Sequence, residues 1–269
     1  TKVEWQTDAL AAASATNAVI EGDDATTDAS TATTRLFNYT QISDKVARVT
    51  GTQRAVNSAG RGDEMAYQIM KRGAELKRDM ESSLLANNAQ VLGNDTTARE
   101  TGGIGSWIAT NDDLGGSGAS PTGDGSDART DGTQRAFAEA DLKTVLAACW
   151  DAGGEPDTIM LGSFNKQAAS AFSGGATRTV EAGEKQLVNA IDVYVGDFGQ
   201  LAIVPNRFQR ARDGLVLQMD MWELATLRDI QTVSLAKTGD TEREQLIVEY
   251  ALCSKNEAAS GMVADLTTS

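Results

Sequence analysis

The stretch of residues 36–85 constrains the fold of this chain most, because an extended aromatic segment runs through a glycine-containing joint into a long charged helix. Apolar residues at helical spacing along residues 63–86 predict a helix with one narrow apolar stripe. The stripe consists of Met65, Ile69, Leu76, Met80 and Leu84, with Gly73 on the same line. A helix of this length is about as long as a small domain is wide, so it is predicted to act as a strut. The extended segment and the helix are predicted not to share one small core.

Three glycines, Gly51, Gly60 and Gly62, separate the extended segment from the helix. Glycine has access to backbone conformations that other residues avoid. The three glycines therefore predict a hinge that lets the preceding segment swing relative to the helix.

The first fifty residues predict a long two-stranded arm. Residues 2–10 alternate between polar and less polar side chains, which is typical of a half-covered strand, and residues 36–50 predict a second strand. The segment between them is rich in Ala, Thr, Ser and Asp and is too long for an ordinary hairpin loop, so it is predicted to be functional or disordered. A lone pair of strands is marginally stable in water, which favours an arm covered by a neighbouring molecule.

The composition excludes several classes of chemistry. The chain has no histidine, which removes the commonest general base, the Ser/His and Cys/His nucleophile pairs and the usual zinc ligands. Its two cysteines, Cys149 and Cys253, lie among apolar neighbours and are predicted to be buried free thiols, with a disulfide as the alternative. No cofactor and no metal ion are predicted.

The formal charge of −14 argues against a protein that holds nucleic acid by neutralising phosphates, since that mode needs clustered Lys and Arg. No apolar run approaches the ~20 residues that cross a bilayer, and no signal-peptide core is present. The sequence therefore predicts a soluble, cytoplasmic protein that does not bind membranes. Because residue 1 is Thr, a processed or truncated form is expected.

The second half of the chain predicts an α+β fold. A flexible insertion rich in Gly, Ser and Asp is predicted at residues 111–135 and is followed by a helix, a short strand at residues 158–162 and a helix from Ser163 to Phe172. Two β-hairpins are then predicted, one turning at residues 196–199 and the other at residues 238–240. No repeating βαβ unit is present, which argues against a doubly wound sheet.

Two loops resemble ligand sites in composition only. Gly102, Gly103 and Gly105 do not match a phosphate-binding fingerprint, so a flexible turn is the favoured interpretation. An acidic loop lacks the ligand alternation of a calcium-binding EF-hand and is interpreted as solvated. Its acidic residues are Asp124, Asp127 and Asp131.

Three carboxylates are candidates for an acid/base pair, namely Asp157, Glu242 and Glu244. Nothing around them in the sequence supports catalysis, and charged strand ends are the ordinary explanation. The prediction is a protein that is not an enzyme.

Four blocks in one order point to a family: WQTD, NYTQI, VTGTQ and KRGAELKRDME. Together they resemble the major capsid proteins of tailed bacteriophages with the Hong Kong 97-type fold, in a branch shared by siphophages and podophages. The resemblance covers nearly the whole chain and is strongest over residues 3–111. It differs at the charged segment TQISDKVARV and at the expanded loop of residues 114–132.

The resemblance implies five segments. Residues 1–52 would form the extended loop, residues 53–110 the first part of the peripheral domain with its spine helix at 63–86, and residues 111–135 the insertion. Residues 136–221 would form the axial domain, and residues 222–269 the second part of the peripheral domain with antiparallel strands. Five residues are predicted to contact neighbouring subunits: Trp5, Arg35, Phe37, Tyr39 and Arg48. The alternative is an aromatic hairpin that covers its own domain.

The implied function is self-assembly into hexamers and pentamers that form the icosahedral head of a virion and enclose double-stranded DNA without tight or specific binding. Assembly in the host cytoplasm is implied, with portal, scaffold and decoration proteins as further partners. Two alternatives stay open at this point: a carboxylate-dependent hydrolase, which needs two acids with separated pKa values, and a calcium-dependent binding module.

Overall fold

The computed structural model describes residues 1–24, 30, 32–56, 60, 62–172 and 192–269. Four α-helices lie in this part of the chain: α1 Gly51–Ala55, α2 Glu64–Leu84, α3 Glu139–Asp151 and α4 Ser163–Ser170. Eleven strands accompany them: β1 Lys2–Thr7, β2 Thr34–Tyr39, β3 Gln41–Thr50, β4 Asp112–Asp113, β5 Thr158–Leu161, β6 Val193–Gly196, β7 Gly199–Pro205, β8 Gly214–Leu217, β9 Trp222–Ser234, β10 Thr241–Ser254 and β11 Gly261–Val263.

The strands form three sheets. Strands β1 and β2 pair alone, the order β3-β10-β9 makes a three-stranded sheet, and the order β4-β11-β8-β5-β7-β6 makes a six-stranded sheet. The predicted mixture of helix and sheet is confirmed. Both predicted hairpins are present as the antiparallel pairs β6/β7 and β9/β10.

The long helix α2 begins at the cap residue Asp63, whose carboxylate accepts a hydrogen bond from the Met65 backbone N–H at 2.9 Å. A side chain in this position satisfies backbone donors that have no partner within the helix. Leu76 and Met80 pack against apolar residues of β10, while Met65 packs against Ala47 of β3. The apolar stripe is therefore core, as predicted.

The predicted separation of strand and helix is wrong. Strand β3 pairs with β10, and its buried Ala47 and Val49 contact Met65 of α2. The extended segment is not one strand, because it breaks at Thr40 between β2 and β3. Among the described elements, β1 and β2 form the arm, and β3 belongs to the body of the subunit. The reason is that alternate residues of β3 are covered by the subunit's own helix.

The six-stranded sheet builds the largest core. Helix α3 packs four buried side chains against it, namely Leu142, Val145, Leu146 and Cys149, all from the predicted helix. The sheet also includes β4 and β11, which lie outside the predicted axial segment of residues 136–221. The C-terminal segment therefore serves two sheets, with β9 and β10 in one and β11 in the other.

The prediction of a flexible insertion at residues 111–135 is wrong around Arg129. The Arg129 side chain is completely buried and lies 2.6 Å from Asp213 and 3.6 Å from Asp265. Its backbone is also fixed, because Asn87 exchanges two hydrogen bonds with it, at 2.8 and 2.9 Å. Composition indicated flexibility because it does not reveal a buried ion pair with a partner more than eighty residues away.

The glycine-rich segment after α2 is also packed instead of loose. A Cβ added at Gly103 would lie 2.4 Å from the Ala86 carbonyl oxygen, and one added at Gly105 would lie 2.9 Å from the Asn87 backbone. These glycines permit close approach of two chain segments. The interpretation as a flexible turn is therefore wrong, while nothing in the packing favours a phosphate site.

Both cysteines are buried free thiols, as predicted. Burial raises the pKa of Cys149 to about 12 and that of Cys253 to about 11. Among the described residues, no helix combines the length and the apolar character needed to cross a membrane.

Candidate functional site: the arm and its base

The arm is an antiparallel pair with two distinct faces. Trp5 stands opposite Leu36, and Glu4 stands opposite Phe37. Paired residues share a face of a sheet, so Trp5 and Leu36 point to one side and Phe37 to the other. The first side packs on the body of the subunit and is called the inner face; the second is called the outer face.

Trp5 holds the inner face to its own subunit. Its indole Nε1–H donates a hydrogen bond to the Ser254 carbonyl oxygen at 2.7 Å, and its ring lies 5.5 Å from the ring of Trp107. Both partners belong to the same chain. Trp5 is therefore explained by the alternative of an aromatic hairpin covering its own domain, and its contact with another subunit stays a prediction.

Asn38 is a second anchor of the inner face. Its side chain is completely buried, accepts a hydrogen bond from the Gly102 N–H at 2.8 Å and donates to the carbonyl oxygens of Gly102 at 3.2 Å and Leu252 at 2.8 Å. Sequence reasoning missed this residue. The available signal was its position two residues after Leu36, on the apolar side of a strand, where an amide needs partners.

The base of the arm is clamped where β2 ends. Glu249 accepts hydrogen bonds from Thr40 Oγ1 at 2.8 Å, from Arg99 at 2.5 Å and from Arg228 at 2.9 Å. Burial acts to raise the pKa of Glu249, but the Thr40 hydrogen bond and the two guanidinium groups outweigh it, so the pKa lies below its ordinary value. Glu249 thus joins the base of the arm to two other segments as a carboxylate.

The three predicted hinge glycines differ in their surroundings. Gly51 opens α1, its N–H donates to the Asp240 carbonyl oxygen at 3.0 Å, and an added Cβ would collide with the Asp240 side chain. Close approach, and not backbone freedom, explains this glycine. Gly60 has φ +82° and, like Gly62, has open space around it. The hinge role of these two stays a prediction.

Three of the predicted interface residues share the outer face of the arm. The rings of Phe37 and Tyr39 lie 5.5 Å apart, and Lys2 Nζ lies 4.9 Å from the Phe37 ring centre. Arg35 lies 3.8 Å from Glu4 on the same side. This half-exposed aromatic and charged surface faces away from the body.

Arg48 is not part of the arm. It lies exposed on β3, paired with Arg243 of β10. Two apolar residues of β3 share its side of the sheet and are also exposed, Ile42 at 48% and Val46 at 40%.

The loop between β1 and β2 exposes large apolar side chains. Leu10 is 99% exposed, Val19 is 85% exposed and Ile20 is 77% exposed. Within the described chain, residues 8–24 form hydrogen bonds only among themselves, as in the turn from the Asp23 N–H to the Ile20 carbonyl. The loop therefore has apolar groups that its own subunit does not cover.

The acidic candidates are occupied by protein partners. Asp131 pairs with Arg210 and Arg212, and Asp124 and Asp127 accept hydrogen bonds from Thr122. Over the described ranges, no group of three or more His, Cys, Asp or Glu side chains is placed to hold a metal ion.

The three candidate catalytic carboxylates lie in two different parts of the fold. Glu242 and Glu244 belong to β10, whereas Asp157 is exposed just before β5. Glu242 forms ion pairs with Arg54 and Lys237. These are ordinary contacts of charged strand ends.

Comparison with known proteins gives the class. Similar solved structures come from Gordonia phage Cozz (TM-score 0.60, 11% identity, covering 100% of this chain and 81% of that one) and Mycobacterium phage Cain (TM-score 0.58, 10% identity, 100% and 86%). The asymmetric unit of the mature capsid of bacteriophage PhiM1 has TM-score 0.59 at 9% identity, covering 100% and 82%. The fold is thus that of phage capsid proteins.

Sequence comparison identifies the family. The family model described as SU10 major capsid protein matches residues 1–267. The major capsid protein of Escherichia phage Phieco32 is 29% identical over 298 aligned positions, covering 96% of this chain and 84% of that protein. The chain belongs to the SU10 major capsid protein family, and the predicted function of a phage major capsid protein is confirmed.

Proposed function

We propose that this chain assembles into hexamers and pentamers that close into the icosahedral head of a tailed phage around double-stranded DNA. Within the subunit, the arm acts as the extended loop, α2 as the spine helix of the peripheral domain, and the six-stranded sheet as the centre of the axial domain. Assembly takes place in the host cytoplasm. Portal, scaffold and decoration proteins are further partners.

The observation that carries this proposal is the uncovered loop of the arm. A segment whose Leu10, Val19 and Ile20 are all more than three-quarters exposed is unfavourable for an isolated soluble subunit. A neighbouring copy that covers these side chains removes them from water, at about 25 cal/mol for each Å² of apolar surface buried. Family membership supports copies of the same chain as the neighbours.

Charge supports a loose relation to the genome. With a formal charge of −14 in each copy, a shell repels DNA over much of its surface. Weak repulsion suits a container that must take in and release DNA. Filter binding at low salt is expected to show no specific complex, and a steep salt dependence would contradict this part of the proposal.

The test of assembly is electron microscopy of the purified protein at high concentration, supplied with any flanking segment of its natural chain. Closed shells or rings of five and six subunits are expected. Particles that stay monomeric under all these conditions would contradict the proposal.

Variants of the arm test how assembly works. Replacing residues 12–31 with a short Gly/Ser turn keeps the register of β1 and β2 and is expected to leave a folded subunit that no longer forms shells. Phe37→Ala on the outer face is expected to weaken assembly more than it lowers the melting temperature. Trp5→Ala is the matched control, because its loss of intrachain contacts lowers the melting temperature itself.

A further inference from the structure

Strand β9 leaves one long edge of the three-stranded sheet without a partner. The strand order is β3-β10-β9, so β9 is paired on one side only. Within the described residues, no backbone group of Trp222–Ser234 is hydrogen-bonded to a segment other than β10. Residues 226–234 are all exposed, because α2 packs on β10 and β3 instead.

This edge lacks the usual protection against pairing. Proteins blunt exposed edges with Lys or Pro, since unpaired N–H and C=O groups otherwise bond to another strand. Strand β9 contains neither residue, whereas the other edge strand, β3, includes Lys45. Large apolar side chains along β9 are instead 39–58% exposed, namely Leu224, Leu227, Ile230 and Val233. The edge is therefore open to another strand.

The register of β9 is symmetric about Arg228, which stands opposite Glu249. Leu224 and Thr232 pair with residues 252 and 246, so they lie equally far from Arg228 and on one face of the sheet. The pairing with β10 also shifts once on each side of Arg228. A second copy related by a two-fold axis near Arg228 therefore places Leu224 of each copy beside Thr232 of the other.

Charges at the centre of β9 are compatible with such a pair. Arg228 is neutralised within its own chain by Glu249, at 2.9 Å. Asp229 is exposed and forms no ion pair in the described part of the chain. In an antiparallel pair about Arg228, Asp229 of each copy lies next to Arg228 of the other, which is a favourable arrangement of charge.

A closed shell needs a contact of this symmetry. Subunits within a ring meet head to tail through two different surfaces, whereas a contact across a two-fold axis uses the same surface on both copies. Rings of five and six subunits in an icosahedral head are joined across two-fold axes. The joining surface must therefore be complementary to itself, as the edge of β9 is.

We propose that β9 pairs antiparallel with β9 of a second copy in a neighbouring ring, which joins two three-stranded sheets into one sheet of six strands. This inference rests on the proposed function, since it names the contact that joins rings into a shell. The ladder forms in two runs, residues 222–225 of each copy with residues 231–234 of the other. The irregular residues around Arg228 interrupt it at the axis.

Cysteine pairs test this register. Directly opposed residues of antiparallel strands have Cα atoms about 4.5–5.5 Å apart, within the range of a disulfide. An equal mixture of Leu224→Cys and Thr232→Cys chains, assembled and then oxidised with copper phenanthroline, is expected to give a covalent dimer on non-reducing denaturing gels. Both native thiols are buried, so they do not contribute. A mixture that assembles without this dimer would overturn the proposal.

Two controls show that the dimer reports the two-fold contact. Either variant alone is expected to stay monomeric on the gel, because each new cysteine then lies about 20 Å from its counterpart across the axis. Leu224→Cys mixed with Lys143→Cys, whose site is exposed on α3, is also expected to give no dimer. Efficient cross-linking of Leu224→Cys to itself would show a different register and refute the symmetry about Arg228.

Blocking the edge tests its role in assembly. Leu227→Lys with Ile230→Lys places charge on the edge, so rings are expected to persist while shells close only at an about tenfold higher protein concentration. The control is Val56→Lys with Leu92→Lys, at sites that are 59% and 63% exposed outside β9, and it is expected to close like the unmodified chain. Circular dichroism and melting curves show that each variant is folded.

The remaining outcomes separate this inference from the proposed function. If the β9 variant closes shells at the same concentration as the unmodified chain, the edge joins no rings and the inference is wrong. If the folded variant loses its rings as well, β9 belongs to the contact within a ring, which also overturns the inference. If the unmodified chain forms neither rings nor shells, the proposed function fails and the inference fails with it.

Discussion

Arg129→Met is expected to destabilise the folded subunit by about 3 kcal/mol, although it lies far from the arm. The substitution keeps most of the side-chain volume and removes a guanidinium that is completely buried between Asp213 and Asp265. Breaking a buried ion pair by removing one partner costs about 3–5 kcal/mol, since the other charge stays buried.

The surroundings place the cost near the lower end of that range. Asp213 keeps Arg210 at 3.4 Å, and Asp265 keeps Arg212 at 2.7 Å. Neither carboxylate is therefore left without a cation. The lost bond is nevertheless the shorter of the two that the Asp213 carboxylate makes with arginines at 2.6 and 3.4 Å.

Urea unfolding followed by tryptophan fluorescence measures the effect. Trp107 is a suitable reporter, because its ring packs closely against the loop that contains Arg129. A Cβ added at Gly125 of this loop would lie 2.8 Å from the Trp107 ring. The control Arg207→Met removes an exposed arginine and is expected to change the free energy of unfolding by less than about 0.5 kcal/mol. Combining Arg129→Met with Asp213→Asn is expected to cost less than the sum of the two, with a coupling of about 1–3 kcal/mol. An Arg129→Met variant as stable as the control would refute the reasoning.

Three further predictions concern packing, pH and thiol chemistry. Gly103→Ala is expected to lower the free energy of unfolding by about 1–3 kcal/mol, because the added Cβ would collide with the Ala86 carbonyl oxygen. Gly116 has open space around it, so Gly116→Ala is the near-neutral control in the same urea assay. The pKa of Glu249 is lower in the folded state, so its contribution to stability is present above its unfolded pKa near 4.5 and is lost as the pH falls through the folded pKa. Glu249→Gln is therefore expected to remove that part of the acid dependence of the melting temperature between about pH 5 and 3. An acid dependence equal to that of the unmodified chain would contradict the proposed clamp. Cys149 and Cys253 are expected to resist a thiol reagent at pH 8 in the folded protein and to react in urea, and fast labelling of the native protein would show that the thiols are not buried as described.

Local sequence patterns correctly predicted the helices α2 and α3 and the two β-hairpins. The stripe of α2 and the apolar side of α3 follow from spacing, because each helix buries its apolar side in the subunit, and the two hairpins follow from their turn residues. The same method placed β3 in the arm. Its alternation is real, but spacing does not reveal which molecule covers the apolar side, and here it is the subunit's own helix.

The base of the arm illustrates what a sequence alone does not show. Trp5 and Phe37 are both aromatic residues in alternating strands, and both were assigned to contacts between subunits. The register places them on opposite faces, so that Trp5 packs on Trp107 and Phe37 faces outward. A shift of one residue would exchange the two roles, since side chains alternate along a strand. Register depends on pairing across more than thirty residues, which local patterns do not determine.

Buried polar groups fix the base of the arm to the body of the subunit, whereas the tip of the arm is exposed. Asn38 and Glu249 meet donors and acceptors from several distant segments. Within the described part of the chain, Leu10, Val19 and Ile20 remain 99%, 85% and 77% exposed. The described residues therefore divide the arm into a base that is fixed by intrachain contacts and a tip whose large apolar side chains are exposed. Under the proposed assembly, a subunit of this kind offers an exposed apolar tip that a neighbouring copy covers.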